Sequence, residues 1–309
     1  MRAGVVDWVT PDIRRILAPN PSAMTGPGTN TYLIGQGKGL IVVDPGPENA
    51  AHMAAILSAL APDERVTSIV VTHAHKDHST AAPDLSARTG APVLAFGDAR
   101  SGRSAVMQDL AKAGLTGGGE GVDHAFRPDR LLADGDVLDV SDRDGGDKDG
   151  GDKTVRVLHT PGHMGGHICL GFGDVLLSGD HAMGWASSLI SPPDGDMRDY
   201  LASLSRLAAG DWSLMLPGHG PAVPQVAARL HALIRHRRER EAQVMHALSL
   251  GPTDCVHLTQ QIYHDVPPAL HPAAQRNTLA HLIELTTRKA VVCTGVPGPQ
   301  TIFTRADTP

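Results

Sequence analysis

Thr72-His73-Ala74-His75-Lys76-Asp77-His78 decides how this chain is read. It follows Val66-Thr67-Ser68-Ile69-Val70-Val71, a β-branched, apolar run that predicts a buried strand. Three imidazoles and a carboxylate at a strand end are ligands that zinc accepts, at about 2.0–2.2 Å. His73 and His75 stand two apart, so an extended segment projects them to one side. Asp77 and His78 are adjacent and diverge, which suits a second metal better than the first. The chain has 17 His among 309 residues, so a lone His-x-His would carry little weight. The full His-x-His-x-Asp-His pattern arises by chance in on the order of 1 in 300 chains of this composition. A His-rich polar loop without a metal is therefore the weaker reading.

Downstream strands end in the same kind of residue. Thr154–His159 is a predicted strand, and Thr160-Pro161-Gly162-His163 places His163 on the loop after it. His167 opens the next strand. Val175-Leu176-Leu177-Ser178 leads into Gly179-Asp180-His181, which delivers Asp180. Ser213-Leu214-Met215-Leu216 leads into Pro217-Gly218-His219-Gly220, which delivers His219. A single histidine in any of these places reads best as a hydrogen-bonded imidazole. Four strand ends bearing His73, His75, Asp77, His78, His163, Asp180 and His219 do not.

Upstream, Thr31–Ile34 and Leu40–Val43 predict a hairpin. Asn49 starts a helix to about Leu60, with Met53, Ile56, Leu57 and Leu60 on one face. Pro92–Phe96 predicts a strand, Ala105–Ala113 a short helix, and Asp196–Ala209 an amphipathic helix. Strands separated by helices indicate a layered α/β fold. The Asp-Gly run from Ser141 to Lys153 lacks the spacing and closing Glu of a calcium loop and reads as a solvated hairpin tip. From Val223 a long helix runs to about Leu250. Helices near Val256–Tyr263 and Ala273–Arg288 and a hairpin of Val291–Cys293 with Thr301–Phe303 follow, a winged-helix-like arrangement.

Composition sets the outer bounds. Apolar residues at 41% and charged residues at 19% are ordinary for a globular chain, and aromatics at 3% leave the core to Ala, Val, Leu and Ile. A net charge of -6 argues against indiscriminate nucleic-acid binding by the whole surface. Cys169, Cys255 and Cys293 are far apart and form no C-x-x-C, so neither a disulfide framework nor a thiolate zinc site is indicated. Met1 to Asn20 hold no apolar run of signal-peptide length, and no stretch approaches a membrane span. These features predict a cytoplasmic protein with no membrane partner.

Taken together, His73-Ala74-His75-Lys76-Asp77-His78 followed by His163, Asp180 and His219 resembles the metallo-β-lactamase superfamily over about residues 25–222. Thr25-Gly26-Pro27-Gly28-Thr29-Asn30-Thr31-Tyr32-Leu33-Ile34 and His236-Arg237-Arg238-Glu239-Arg240-Glu241 resemble its β-lactamase-like protein 2 group, as do Ile262-Tyr263 and Ala280-His281-Leu282. The resemblance implies an αββα sandwich over 1–222 and a winged-helix-like module over 223–309. It implies two Zn²⁺ per chain. His73, His75 and His163 would bind one, Asp77, His78 and His219 the other, and Asp180 would bridge them around a shared hydroxide. Asp77 and Asp180 are then the expected catalytic carboxylates, with His167 and His181 left over. No G-x-S-x-G elbow competes with this reading.

The closest group implies a single-stranded RNA endoribonuclease. The alternative is hydrolysis of a thioester or other acyl compound, as in glyoxalase II-like and polyketide-thioesterase relatives. A redox or binding protein on the same fold is disfavoured, because the His set is intact and no flavodoxin-like domain follows. For RNA, the basic residues of the module, Arg229, Arg235, Arg237 and Arg238 among them, are expected to contact phosphates. Trp185, Tyr200, Trp212 and Tyr263 are the candidates for base stacking.

Overall fold

The computed structural model describes residues 1–117, 121–140 and 153–306. The Asp-Gly run of 141–152 and the glycines Gly118 and Gly119 lie outside the described residues.

The first sheet forms in chain order from β1 (Val6–Thr10), β2 (Ile13–Leu17), β3 (Asn30–Ile34), β4 (Leu40–Val43), β5 (Val66–Val70), β6 (Val93–Ala95) and β7 (Arg130–Leu131). Pairing is antiparallel from β1 to β4 and parallel from β4 to β7. Between its strands lie α1 (Ala50–Ser58), α2 (Lys76–Ser79), α3 (Ala82–Thr89) and α4 (Ala105–Lys112). Asn49 starts α1 by accepting the His52 N–H at 3.0 Å. The second sheet is built from β8 (Val137–Asp139), β9 (Thr154–His159), β10 (Ile168–Phe172), β11 (Val175–Gly179) and β12 (Leu214–Pro217), in the order β12-β11-β10-β9-β8. Asp196 caps α5 (Met197–Ala208), which connects β11 to its parallel neighbour β12.

The central strands β4, β10 and β11 are almost continuously apolar because both faces of the sheet are covered there. Alternate residues divide between two cores. Ile13, Tyr32, Ile34, Ile41, Val43 and Val70 face Val155, Val157, Ile168, Leu170, Leu177 and Leu216 of the second sheet. Leu33, Leu40, Val42 and Ile69 turn the other way, under Met53 and Ile56 of α1 and Leu85 of α3. Cys169, Leu176 and Met215 lie beneath Met197, Tyr200, Leu204 and Leu207 of α5. The result is the expected αββα sandwich. Truncating one of these side chains, as in Leu33→Ala, costs roughly 2–5 kcal/mol.

The C-terminal part comprises α6 (Val226–Ser249), β13 (Thr253–Asp254), α7 (Cys255–Ile262), α8 (His271–Thr287), β14 (Val291–Cys293) and β15 (Ile302–Arg305). The three short strands pair in the order β13-β15-β14. Leu258, Leu279, Leu282, Val291 and Phe303 build its core together with Met107 of α4. Helix α6 serves both parts. Val226, Leu230, Leu233 and Ile234 join the outer core with α5, whereas Val244 and Leu248 join the C-terminal core.

Candidate metal centre

One edge of the sandwich collects the ends of β4, β5, β9, β11 and β12. Leaving β5, the chain carries His73 and His75, and then coils into the single turn α2 with His75 as its N-cap. That turn sends Asp77 and His78 to a different place from His73 and His75. His163 comes from the loop after β9, Asp180 directly from the end of β11, and His219 from the loop after β12.

The structure brings all seven sequence-predicted residues together, in two groups. His73, His75, His163 and Asp180 form one, and Asp77, His78 and His219 the other. In the first, His75 Nδ1 lies 2.9 Å from His73 Nε2 and 3.1 Å from His163 Nε2. Asp180 Oδ2 stands 4.0 Å from His73 Nε2 and 3.9 Å from His163 Nε2. In the second, Asp77 Oδ2 lies 3.5 Å from His78 Nε2 and 3.3 Å from His219 Nε2. Asp180 reaches that group as well, with Oδ1 3.5 Å from His78 Nε2 and Oδ2 3.2 Å from His219 Nε2. Ligand atoms about 2.0–2.1 Å from a tetrahedral zinc sit roughly 3.3 Å apart, so these separations fit metal-sized gaps. The buried atoms His78 Nε2 and Asp180 Oδ1 have no hydrogen-bond partner among the described residues. Two such atoms facing each other over 3.5 Å are suited to a cation between them.

The opposite nitrogen of most rings is tied down, which fixes the tautomer and aims the free nitrogen inward. His78 Nδ1 donates to Asp44 Oδ2 at 2.9 Å, His163 Nδ1 to the Leu189 carbonyl at 2.7 Å, and His219 Nδ1 to the Gly28 carbonyl at 3.2 Å. His73 Nδ1 donates to Thr72 Oγ1 at 3.0 Å, and that hydroxyl donates to Asp44 Oδ2 at 2.8 Å. Asp44 also accepts the Thr72 N–H at 2.7 Å. One carboxylate thus orients a ring in each group. Thr29 Oγ1 donates to Asp77 Oδ2 at 3.0 Å.

Asp44 and Thr29 escaped the sequence reading because neither has a metal-ligand spacing. The available signal was the carboxylate at the end of β4, in Val42-Val43-Asp44-Pro45-Gly46. His167 is not a member of either group. Its Nε2 accepts the Asp180 N–H at 3.2 Å and its Nδ1 pairs with Thr160 Oγ1 at 2.9 Å, so it steadies the backbone of Asp180. His181 is buried beside Tyr200, with ring centroids 4.7 Å apart, and also stands outside both groups. Close approach requires Gly218: a Cβ there would stand 2.4 Å from Asp180 Oδ1.

Burial disfavours charge on every group here, and local partners decide the outcome. Burial and the neighbouring imidazoles hold His73 well below the ordinary histidine range, and burial with His163 takes His75 to about 3. For His78, burial is outweighed by Asp77, Asp180 and Asp44, which push it well above the usual value. Asp180 is held low because His219 and His78 outweigh its burial. Burial therefore favours neutral imidazoles in the first group, whereas the carboxylates of the second favour protonated ones.

The basic residues of the C-terminal part behave differently from the expectation. Arg237 is 1% exposed. It donates to the Ser188 carbonyl and lies over the Tyr200 ring at 5.3 Å, so it cannot reach a phosphate. Arg229 donates to the Met183 and Ala186 carbonyls at 2.7 and 2.8 Å. Arg240 stacks on Tyr263 at 4.3 Å. Arg235 and Arg238 are exposed. Of the four stacking candidates, Tyr200 and Tyr263 are buried and Trp212 is half-buried, while Trp185 remains 43% exposed.

Four layers with a His/Asp cluster at one edge define the metallo-β-lactamase class of hydrolase. The chain belongs to the metallo-β-lactamase superfamily, whose family model matches residues 24–219, and residues 256–295 match the β-lactamase-associated winged helix domain. The chain is 29% identical to a β-lactamase-like protein 2 homolog from Drosophila melanogaster, over 91% of this chain and 89% of that one. It is 28% identical to an atrochrysone carboxyl ACP thioesterase from Paecilomyces divaricatus, over 79% of this chain and 66% of that one. A β-lactamase domain protein from Burkholderia ambifaria has the same fold, with a TM-score of 0.77 at 24% identity, covering 98% of this chain and 94% of that one. No helix among the described residues is long and apolar enough to cross a membrane.

Proposed function

We propose that the chain is a binuclear zinc hydrolase of acyl thioesters, with the catalytic residues in 1–222 and the winged-helix module in 223–309. The observation that carries the metal reading is Asp180, whose two oxygens lie between the two histidine groups. His73, His75 and His163 would hold one zinc, Asp77, His78 and His219 the other, and Asp180 both. Zinc there supplies Lewis acidity and a hydrolytic nucleophile at neutral pH. The chain's own residues do the rest. Asp44 and Thr72 set the rings, and Asp77 and Asp180 concentrate negative charge at the edge. His78 and His219, whose neighbouring carboxylates favour the protonated form, would have to be neutral to hold a metal.

The substrate class rests on where the arginines went. Arg237 is buried, and the part-exposed Arg229 and Arg240 are tied to backbone carbonyls, which weakens the expected phosphate track. A cleft of about 500 Å³ lies between Ala113–Gly117, Ser191 and Pro192 on one side and Pro272, Arg276, Leu279 and Val296–Pro299 on the other. None of its lining residues belongs to the metal edge, so the choice rests on the arginines and not on this cleft. The similarity to a thioesterase supports the same choice. The second reading, single-stranded RNA, is favoured by Trp185, which is exposed beside the metal edge and donates to the His219 carbonyl at 3.3 Å.

The test is a panel of acyl thioesters and labelled RNA with zinc-loaded protein. The expected result is thioester turnover with a KM that is flat in salt and two zinc ions per chain by elemental analysis. RNA cleavage whose affinity falls steeply with salt would replace the thioester reading. A zinc ratio at or below one, unchanged by titration, would end the binuclear one.

A further inference from the structure

The segment 181–190, which follows Asp180, touches the metal edge at three points. Ser188 Oγ donates to the Asp180 carbonyl, the Leu189 carbonyl accepts from His163 Nδ1 at 2.7 Å, and Trp185 Nε1 donates to the His219 carbonyl at 3.3 Å. Its other side is gripped from the C-terminal helices. Arg229 of α6 holds the Met183 and Ala186 carbonyls, Arg237 of α6 holds the Ser188 carbonyl, and Asn277 Oδ1 of α8 accepts the Ile190 N–H at 3.0 Å.

We infer that Asn277 and Arg237 are positioning residues for the first metal group, acting through the peptide unit between Leu189 and Ile190. The C=O of Leu189 and the N–H of Ile190 belong to one rigid plane. Asn277 grips the N–H side of that plane, and His163 hangs from the carbonyl side. Turning the plane withdraws the acceptor from His163 Nδ1, and the ring then loses both its tautomer and its aim. Arg237 holds the preceding carbonyl and so restrains the same rotation from its other end. The path from Asn277 through Ile190 and Leu189 to His163 touches none of Asp77, His78 and His219, so the effect of Asn277 falls on the His73/His75/His163/Asp180 group. Residues far along the sequence in the winged-helix part thus set the geometry of a catalytic-edge ligand.

This inference rests on the metal reading, and the experiment separates the two. Asn277 is only half-buried, so Asn277→Ala is expected to fold, whereas Arg237→Ala removes a fully buried side chain and is not used. Co²⁺ affinity is measured by chelator competition in two backgrounds: His219→Ala, which keeps the first group, and His163→Ala, which keeps the second. Asn277→Ala is expected to weaken Co²⁺ by about 10–100-fold in the first background and less than about threefold in the second. Asn277→Asp, which keeps the acceptor, is expected to restore it. In metal-free protein, the His163 Nδ1–H proton resonance should be lost to exchange in Asn277→Ala and kept in Asn277→Asp. No loss in the first background, or equal loss in both, overturns the inference. Wild-type protein that binds no Co²⁺ overturns the metal reading, and a resonance indifferent to Asn277 refutes the positioning role even then.

Discussion

The metal edge and the junction of α5, α6 and α8 are both buried, polar and rich in histidine, yet they differ in one respect. At the edge, the unpartnered atoms His78 Nε2 and Asp180 Oδ1 face each other, and the atoms behind them are hydrogen-bonded. At the junction, Tyr200 Oη, Arg237 Nε and both ring nitrogens of His281 also lack partners among the described residues. There, however, no cluster of metal-ligating side chains is found among the described residues, and the largest charges acting on His281 are those of Arg237, His236, Arg288 and Arg240. An unpaired polar atom marks a ligand site when an opposite charge shares its gap. Without that it is a cost of about 1–3 kcal/mol left in the fold.

The hardest test of this contrast is Asp180→Ala. Turnover is expected to fall by orders of magnitude and zinc content to drop, while the circular dichroism spectrum stays near wild type. Activity within about tenfold of wild type would show that Asp180 is no ligand and that the edge is another polar junction.

Asp44→Ala comes next. Its carboxylate serves His78 directly and His73 through Thr72, one ring in each group. Affinity for both metals is expected to fall by about 10–100-fold, read as zinc retained against a graded chelator. A loss confined to one metal would break the claim that a single residue organises both.

The junction has its own signature in pH. His281 is buried, and burial together with Arg237 takes its pKa from 6.5 to about 3. Below about pH 6.5 the unfolded chain therefore binds a proton that the folded chain refuses. Stability from this group is complete above that pH and declines as pH falls toward 3. Replacing it, as in His281→Leu, should reduce the loss of unfolding free energy between pH 7 and pH 5 by about 1–2 kcal/mol, measured by urea denaturation of metal-free protein. An unchanged loss would place the acid sensitivity elsewhere, with His75 and His181, both lowered to about 3 chiefly by burial, as the next groups.

The difference between the two regions also explains what could be read without coordinates. A strand alternates with period two and ends abruptly, so His73, His75, His163, Asp180 and His219 announced themselves by position. The supporting groups did not, because Asp44 and Leu189 act across 28 and 26 residues of sequence. The first hairpin was missed for a similar reason. Arg14 and Arg15 in β2 look like surface charges, yet both are buried, Arg14 against Glu64 at 2.7 Å and Arg15 against Asp7. In α6 the run His236-Arg237-Arg238-Glu239-Arg240-Glu241 showed its charge but not its register. A rotation of about 100° per residue decides which guanidinium is buried, and that depends on what α5 and α8 present.

That register yields the smallest expected effect. Arg237 faces inward, whereas Arg235 and Arg238, two positions before and one after, are exposed. Charge on the exposed pair can influence a substrate only through solvent, where screening acts within about 8–10 Å at ordinary ionic strength. For a thioester held in a cleft, Arg235→Ala/Arg238→Ala is expected to change KM less than about twofold, with no new salt dependence. For an RNA running along α6, the same double change would remove two phosphate contacts and lower the salt slope by roughly 1.8. Arg237→Lys supplies the internal control, since it alters the Ser188 contact and leaves the exposed charge untouched. Its effect should appear in metal affinity and thermal stability and not in the salt dependence of KM. If the exposed pair controls KM and its salt dependence, α6 is a nucleic-acid surface after all, and the thioester assignment gives way to the RNA one.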